Sequence, residues 1–249
     1  MRPDLITDLY EKEATYWWNI SKREMVLSLL RSGGSLKDPG VAIDIGCGGG
    51  YTAWVLESYH KTVGVDVSAE ALKLCLHRGL RRLCQVDMAS FLLPFKSDSF
   101  DLVMALDVIE HVDDDLQALT ECRRILKAGG SLVLTVPAFM WLWSPWDEAL
   151  GHRRRYTASG LAQVIHRAGF SVKKLTYMFF FIFPLAVLIR RVKKIFQKDA
   201  VHYPSDFIPI PKILNTGLIH AGRLEQRMIT NLNLNLPFGL SVISLATKR

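Results

Sequence analysis

The stretch "VAIDIGCGGG", residues 41–50, decides the fold. Its first half is a short apolar, β-branched run that reads as a buried strand. Its second half is rich enough in glycine to turn sharply and to let backbone pass close to a ligand. Working outward, short β-branched runs alternate with longer stretches of helical spacing, which signals a parallel sheet built from βα units. "YTAWVLESYH" (51–60) reads as a helix, "KTVGVDVS" (61–68) as a strand and "AEALKLCLHRG" (69–79) as a helix stopped by its glycine. "LCQVD" (83–87), "FDLVMALD" (100–107) and "SLVLTVPA" (131–138) supply further strands. "DDDLQALTECRRILKAGG" (113–130) reads as one helix with an acidic start and a basic end.

Open α/β sheets bind ligands at the carboxyl ends of their strands. Gly46, Gly48 and Gly50 follow the first strand, and Asp66 ends the second about 20 residues later, the usual place for a carboxylate that grips ribose hydroxyls. Together they imply an adenosine-containing cofactor. The glycines alone do not say which one, because G-x-G-x-x-A from Gly48 to Ala53 also fits a dinucleotide fingerprint. In "QVDMAS", Asp87 ends the third strand, where an acid can accept from an adenine amino group while the Met88 backbone faces the ring.

Taken in order, "VAIDIGCGGG", "VGVDVS", "QVDMAS", "FDLVMALDVIEHV" and "LKAGGSLVLTVP" resemble the motifs of the class I S-adenosylmethionine-dependent methyltransferases. The resemblance covers roughly residues 40 to 175 and the last strand, "FGLSVISLATK" (238–248). It implies a Rossmann-like α/β fold: a seven-stranded sheet flanked by helices, with a last antiparallel strand. The implied domains are a helical cap (1–40), a cofactor-binding core (41–177), a helical insertion (178–238) and the core's final strand (239–249). It further implies that Gly46, Cys47 and Gly48 line the methionine portion of S-adenosylmethionine and that Asp44 meets its amino-acid end. Asp66 and Val67 would flank the ribose, Asp87 and Met88 the adenine, and Leu106 and Asp107 would wall the pocket.

Upstream, "EATYWWNISKREMVLSLL" (13–30) is similar to the N-terminal segment of the ubiquinone-biosynthesis O-methyltransferases, which makes Arg23 a candidate clamp for the cofactor carboxylate. In those enzymes a segment matching "LDVIEHV" (106–112) is associated with a divalent cation. Asp107, Glu110 and His111 share one face if the segment is helical, and they are the candidate magnesium ligands; the alternative is a cofactor wall with no metal.

Methyl transfer to a hydroxyl needs an aligned nucleophile, exclusion of water and a proton acceptor. Histidine is the natural base, and the candidates are His111 and His152. His152 lies in "GHRRRY" (151–156), just after the strand that ends in "LTVP" and just before a helix expected to be capped at Thr157. Trp143, Arg153, Arg154, Arg155 and Tyr156 are therefore candidate substrate residues, with the arginines suited to a phosphate or carboxylate near that helix start.

Charge divides the chain. Residues 1–150 hold 15 Lys+Arg and 21 Asp+Glu, a net of −6, while residues 151–249 hold 16 and 3, a net of +13. A basic half suggests an anionic partner. Its bases lie beside apolar runs, whereas single-strand nucleic-acid grooves interleave them with stacking aromatics, so an anionic membrane surface is the better fit. "YMFFFIFPLAVLI" (177–189) is too short to span a bilayer, and it runs into the basic "RRVKKIFQK" (190–198). "KILNTGLIHAGRLEQRMITN" (212–231) reads as a second amphipathic helix with Leu214, Leu218, Ala221, Leu224 and Met228 on one stripe; the alternative for both helices is packing over the substrate pocket or a dimer interface. The four cysteines have no metal-ligand spacing and read as reduced thiols, and the mixed, charged start carries no signal peptide. The expectation is a cytoplasmic enzyme, peripheral on the inner face of the cell membrane, that O-methylates an apolar or lipid-linked small molecule. The alternatives are a soluble sugar or secondary metabolite, with the insertion as a lid, and after it a nucleic-acid methyltransferase or a non-enzymatic cofactor-binding protein.

Overall fold

The computed structural model describes residues 12–87, 92–196 and 210–249, with side chains up to residue 192 in the middle segment. Met88 and Lys198 lie outside the described residues, as do the side chains of Lys193 and Lys194.

Seven strands form one sheet: β1 (Gly40–Ile45), β2 (His60–Asp66), β3 (Leu83–Gln85), β4 (Phe100–Leu106), β5 (Leu126–Pro137), β6 (Phe170–Met178) and β7 (Ser241–Lys248). The order is β3-β2-β1-β4-β5-β7-β6. Only β7 runs antiparallel, between β5 and β6. The fold is therefore the expected Rossmann-like one. The strand order reverses between β1 and β4, and that switch point opens the crevice in which such sheets bind ligands.

Among the described residues eight helices flank the sheet: α1 (Trp17–Ser32), α2 (Tyr51–Leu56), α3 (Ala69–His77), α4 (Asp115–Ile125), α5 (Pro145–Leu150), α6 (Ala158–Arg167), α7 (Phe183–Phe196) and α8 (Lys212–Thr230). Strand alternation sends neighbouring residues into different layers. Ile43, Val103 and Leu134 pack against α4 and α6 through Leu119, Leu161 and Ile165. Ala42, Leu102 and Val133 pack with α1 through Met25, Val26 and Leu30. Covered on both faces, the central strands read as continuous apolar runs, which is why they were legible.

One expectation is corrected. "LKAGG" (126–130) is not the end of a helix: α4 stops at Ile125 and β5 begins at Leu126. A register shift between the Phe100–Leu126 and Leu102–Ser131 pairs takes up the extra residues as a bulge. In α8 the apolar stripe is divided, with Leu218 and Met228 packed against the core. Leu214 and Leu224 are half exposed, while Glu225 and Ile229 are buried. Gly222 packs so closely on Ser21 of α1 that a Cβ there would lie 2.4 Å from the hydroxyl oxygen. Glu225 finds partners in the backbone N–H groups of Phe179 and Phe180, at 2.5 and 2.8 Å. Burying a carboxylate is tolerable only with such donors, and hydropathy cannot foresee them.

Candidate active site

The glycine loop leaves β1 with positive φ at Gly46, Gly48 and Gly50 (69°, 57° and 81°), a left-handed path closed to most side chains. Asp66, at the end of β2, accepts the N–H of Gly48 and that of Ser68, each at 2.9 Å, and so ties the loop to the second strand. Asp44 is buried beneath the loop. Burial first, and then the nearby Glu13 and Asp66 carboxylates, push its pKa up to about 8. A ligand ammonium placed there would restore its charge. Val67 and Asp87 lie exposed along the same rim, and Leu106 is half buried.

The cap supplies cations and one acid. Arg23 of α1 lies 4.2 Å from the Tyr51 ring centroid and donates to the Glu13 carbonyl at 3.0 Å, which brings it to the glycine loop. The Glu13 carboxylate accepts the Gly49 N–H at 2.8 Å and pairs with Arg78 at 2.5 Å. Buried Asp44 and Arg23 suit the ammonium and carboxylate of S-adenosylmethionine, the open glycine backbone its methionine chain, and Asp66 its ribose. Neither Glu13 nor Arg78 carries a sequence signature, because their roles exist only once the cap folds over the loop.

The segment after β4 is a turn, not a helix, so Asp107, Glu110 and His111 do not share a helical face. Asp107 has φ 57°, a strained conformation for a non-glycine residue at a strand end. Its carboxylate accepts from Lys22 Nζ at 2.7 Å and from the Thr135 hydroxyl at 2.8 Å. Burial alone would raise its pKa, but the Lys22 charge and hydrogen bonds hold it below the ordinary value. The structure instead gathers Glu110, His111 and His152, with one ligand atom from each within 4.8 Å of the others. Glu110 is fully buried and neither of its carboxyl oxygens has a hydrogen-bond partner. Burial, then Asp107, raise its pKa well above the usual carboxylate range. The His111 and His152 rings meet edge to face at 4.7 Å. Burial, followed by His152, lowers the His111 pKa to about 4.

His152 Nδ1 donates to Asp147 Oδ1 at 2.8 Å, which fixes the proton on Nδ1 and leaves the Nε2 lone pair free of that bond, 3.9 Å from Glu110 Oε1. Asp147 also accepts two hydrogen bonds from Arg155, at 2.8 and 2.9 Å. Burial would raise Asp147, but the bonds from His152 and Arg155 hold it far below the usual range. Asp147 thus orients the histidine and neutralises a buried guanidinium.

The other candidate substrate residues also bond within the chain. Arg153 pairs with Asp113 and donates to the His111 carbonyl. Arg154 donates to the Val112 and Asp113 carbonyls and pairs with Asp115. Tyr156 is buried, with its hydroxyl on Asp115 at 2.8 Å, and Trp143 donates to Glu148 at 3.3 Å. Arg153 and Arg154 brace the loop after β4 against the segment before α6, while Arg155 ties that segment to Asp147 and to the Ala138 carbonyl. Next to it, a cavity of about 570 Å³ is lined by Phe139, Met140, Trp141, Tyr156, Thr157 and Val164.

Residues 43–134 match a family model described as a methyltransferase domain. A probable S-adenosylmethionine-dependent methyltransferase of Mycolicibacterium smegmatis is 28% identical over 65% of this chain and 62% of its own length. The ubiquinone biosynthesis O-methyltransferase of Xanthomonas oryzae pv. oryzae is 33% identical over 37% of this chain and 41% of its own. The chain thus matches less than two thirds of the length of either relative. Among solved structures, a SAM-dependent methyltransferase of Thermotoga maritima, described as a possible histamine N-methyltransferase, superposes with a TM-score of 0.58, covering 98% of this chain and 96% of that one at 22% identity. Residues 43–134 thus carry a methyltransferase domain, and the chain has the fold of the S-adenosylmethionine-dependent methyltransferases.

Proposed function

We propose that the protein O-methylates an apolar or lipid-linked hydroxyl compound at the inner face of the cell membrane, with His152 as proton acceptor. The observation that carries this reading is the Asp147–His152 hydrogen bond beside buried Glu110 and His111. S-adenosylmethionine supplies the electrophilic methyl group and the leaving thioether. Asp44, the glycine loop and Arg23 hold the cofactor, and Asp66 and Asp87 face its nucleoside. As the acceptor oxygen forms its bond to the methyl carbon, its proton passes to His152 Nε2. The anionic Asp147 stabilises the imidazolium so formed. The aromatic cavity beside Trp141 suits an apolar acceptor.

For a divalent cation, Glu110, His111 and His152 are better placed than the trio containing Asp107. Two imidazoles and one carboxylate suit zinc, iron or manganese more than magnesium. A cation held there would polarise the acceptor oxygen, and His152 would then act as a ligand.

A second reading keeps the chemistry but takes a soluble sugar or secondary metabolite beneath the insertion. It is favoured by the contact of Phe183 of α7 with Trp141 and Phe139, both rings at 5.9 Å. The test is methyl transfer from labelled S-adenosylmethionine into lipid extract and aqueous extract of cells lacking the protein, with wild type and His152→Gln. Label in the lipid fraction that depends on His152 supports the first reading. Label only in the aqueous fraction supports the second, and equal transfer by both proteins removes His152 as the base.

A further inference from the structure

Helix α7 turns an apolar stripe outward. Leu185, Leu188, Ile189 and Val192, at spacing i, i+3, i+4, i+7, are between 38% and 58% exposed. Its inner side is occupied by Phe183, edge-on to Trp141 and tilted against Phe238, and by Arg190, which donates to the Leu142 carbonyl at 2.5 Å. A helix on the surface of a water-soluble domain places polar residues where these four apolar ones stand. The exposed stripe does not end with the helix. Phe181, in the turn that leads into it, is 42% exposed, and Trp141, which touches Phe183, is 58% exposed. A contiguous patch of this kind marks a surface that meets something apolar.

The charge around the patch identifies the partner. Residues 183–198, which are α7 and the sequence that follows it, contain Arg190, Arg191, Lys193, Lys194 and Lys198 and no Asp or Glu. Arg191 is exposed beside the stripe, and the sequence continues with Lys193 and Lys194. With 14 residues, α7 is about 21 Å long at 1.5 Å per residue, short of the roughly 30 Å hydrocarbon core. Among the described residues no helix is long and apolar enough to cross a membrane. An apolar stripe with a basic flank on a helix too short to span has the composition of an element that lies in the plane of an anionic bilayer.

The fold places that element at the chemistry. β6 is parallel to β5, so α7 begins at the carboxyl end of the sheet, where the glycine loop, Asp107 and Glu110 also lie. Phe179, in the turn between β6 and α7, stacks on Trp18 of the cap at 3.8 Å and is held by Glu225 of α8. Helix α7 is therefore joined to the active-site end and cannot shift without disturbing it.

We propose that the outer face of α7, continued by Phe181 and Trp141, seats the protein on an anionic lipid bilayer with its active-site end turned toward the lipid. The proposal deepens the functional reading above and rests on it only for the source of the acceptor. Docking itself is independent of which compound is methylated.

The test uses the full chain in flotation with phosphatidylcholine vesicles, with and without phosphatidylglycerol. Wild type floats with the anionic vesicles, less with the neutral ones, and is released by salt. Leu188→Glu stays in solution while binding S-adenosylmethionine as wild type does, which shows that it is folded. Brominated lipids quench wild-type tryptophan fluorescence, and Trp141→Phe loses most of that quenching. Flotation of wild type and Leu188→Glu to the same extent overturns the proposal. So does absence of flotation together with a concentration-dependent dimer that Leu188→Glu dissociates, since a second copy then covers the stripe. If docking holds but no label enters the lipid fraction, the acceptor reading fails and the docking surface stands.

Discussion

The cofactor half and the acceptor half of this molecule are built on opposite principles. Between β1 and β3 each functional group is delivered by the element that precedes it. The glycine loop follows β1, Asp66 ends β2, and Asp66 accepts the loop's own Gly48 N–H. On the acceptor side the working groups come from far apart. Glu110 follows β4, Asp147 sits on α5, and His152 follows that helix, while Glu225 of α8 secures the turn after β6. A local site is written into short motifs. A site assembled across loops depends on buried partners that bear no motif.

This comparison can be broken most sharply at His152. His152→Gln should lower turnover by about 10² to 10⁴-fold, the usual worth of a general base, with cofactor affinity measured by calorimetry unchanged. Equal loss of both would place His152 in the cofactor half. Next in size is Asp147→Ala, which leaves the buried Arg155 guanidinium without its bidentate partner. It should destabilise the protein by about 3–5 kcal/mol in urea unfolding, the cost of an uncompensated buried charge. A loss of less than about 1 kcal/mol would mean that the brace is not structural.

The cofactor half has its own test in pH. Asp44 titrates near 8, and a bound ammonium requires its carboxylate. Cofactor affinity should therefore fall as pH drops below 8, by up to about tenfold per unit while the bound form stays ionised. Asp44→Asn should bind more weakly above pH 8 and lose that slope; a slope that persists would move the titrating group elsewhere. The smallest effect is expected at the rim. Arg153 and Asp113 are 51% and 74% exposed, so Arg153→Ala should change stability by only about 0–1 kcal/mol despite the short ion pair. Thermal melts of Arg153→Ala and Asp147→Ala side by side would sharpen the distinction between the exposed and the buried ends of one arginine run.

What could be read in advance follows the same division. Ile43, Val103 and Leu134 could be assigned to strands because a parallel sheet covered on both faces demands apolar runs. Thr157 was recognisable as a cap, and its hydroxyl does accept the Gly160 N–H. The helical reading of residues 107–111 failed because Asp107 takes a left-handed backbone conformation, held by Lys22 from the cap and Thr135 from β5. The inward face of α8 was hidden because a buried glutamate looks like a surface residue until its backbone donors are known.

By itself the sequence determined the sheet, the glycine loop and the acidic ends of β1 and β2, since periodicity and steric demand act over a few residues. Only the tertiary structure decided that Arg155, not Arg153 or Arg154, turns inward, that His152 is oriented by Asp147, and that α7 shows its leucines to the outside. Those outcomes depend on which groups meet across the fold, where burial makes an unpaired charge costly and a paired one stable.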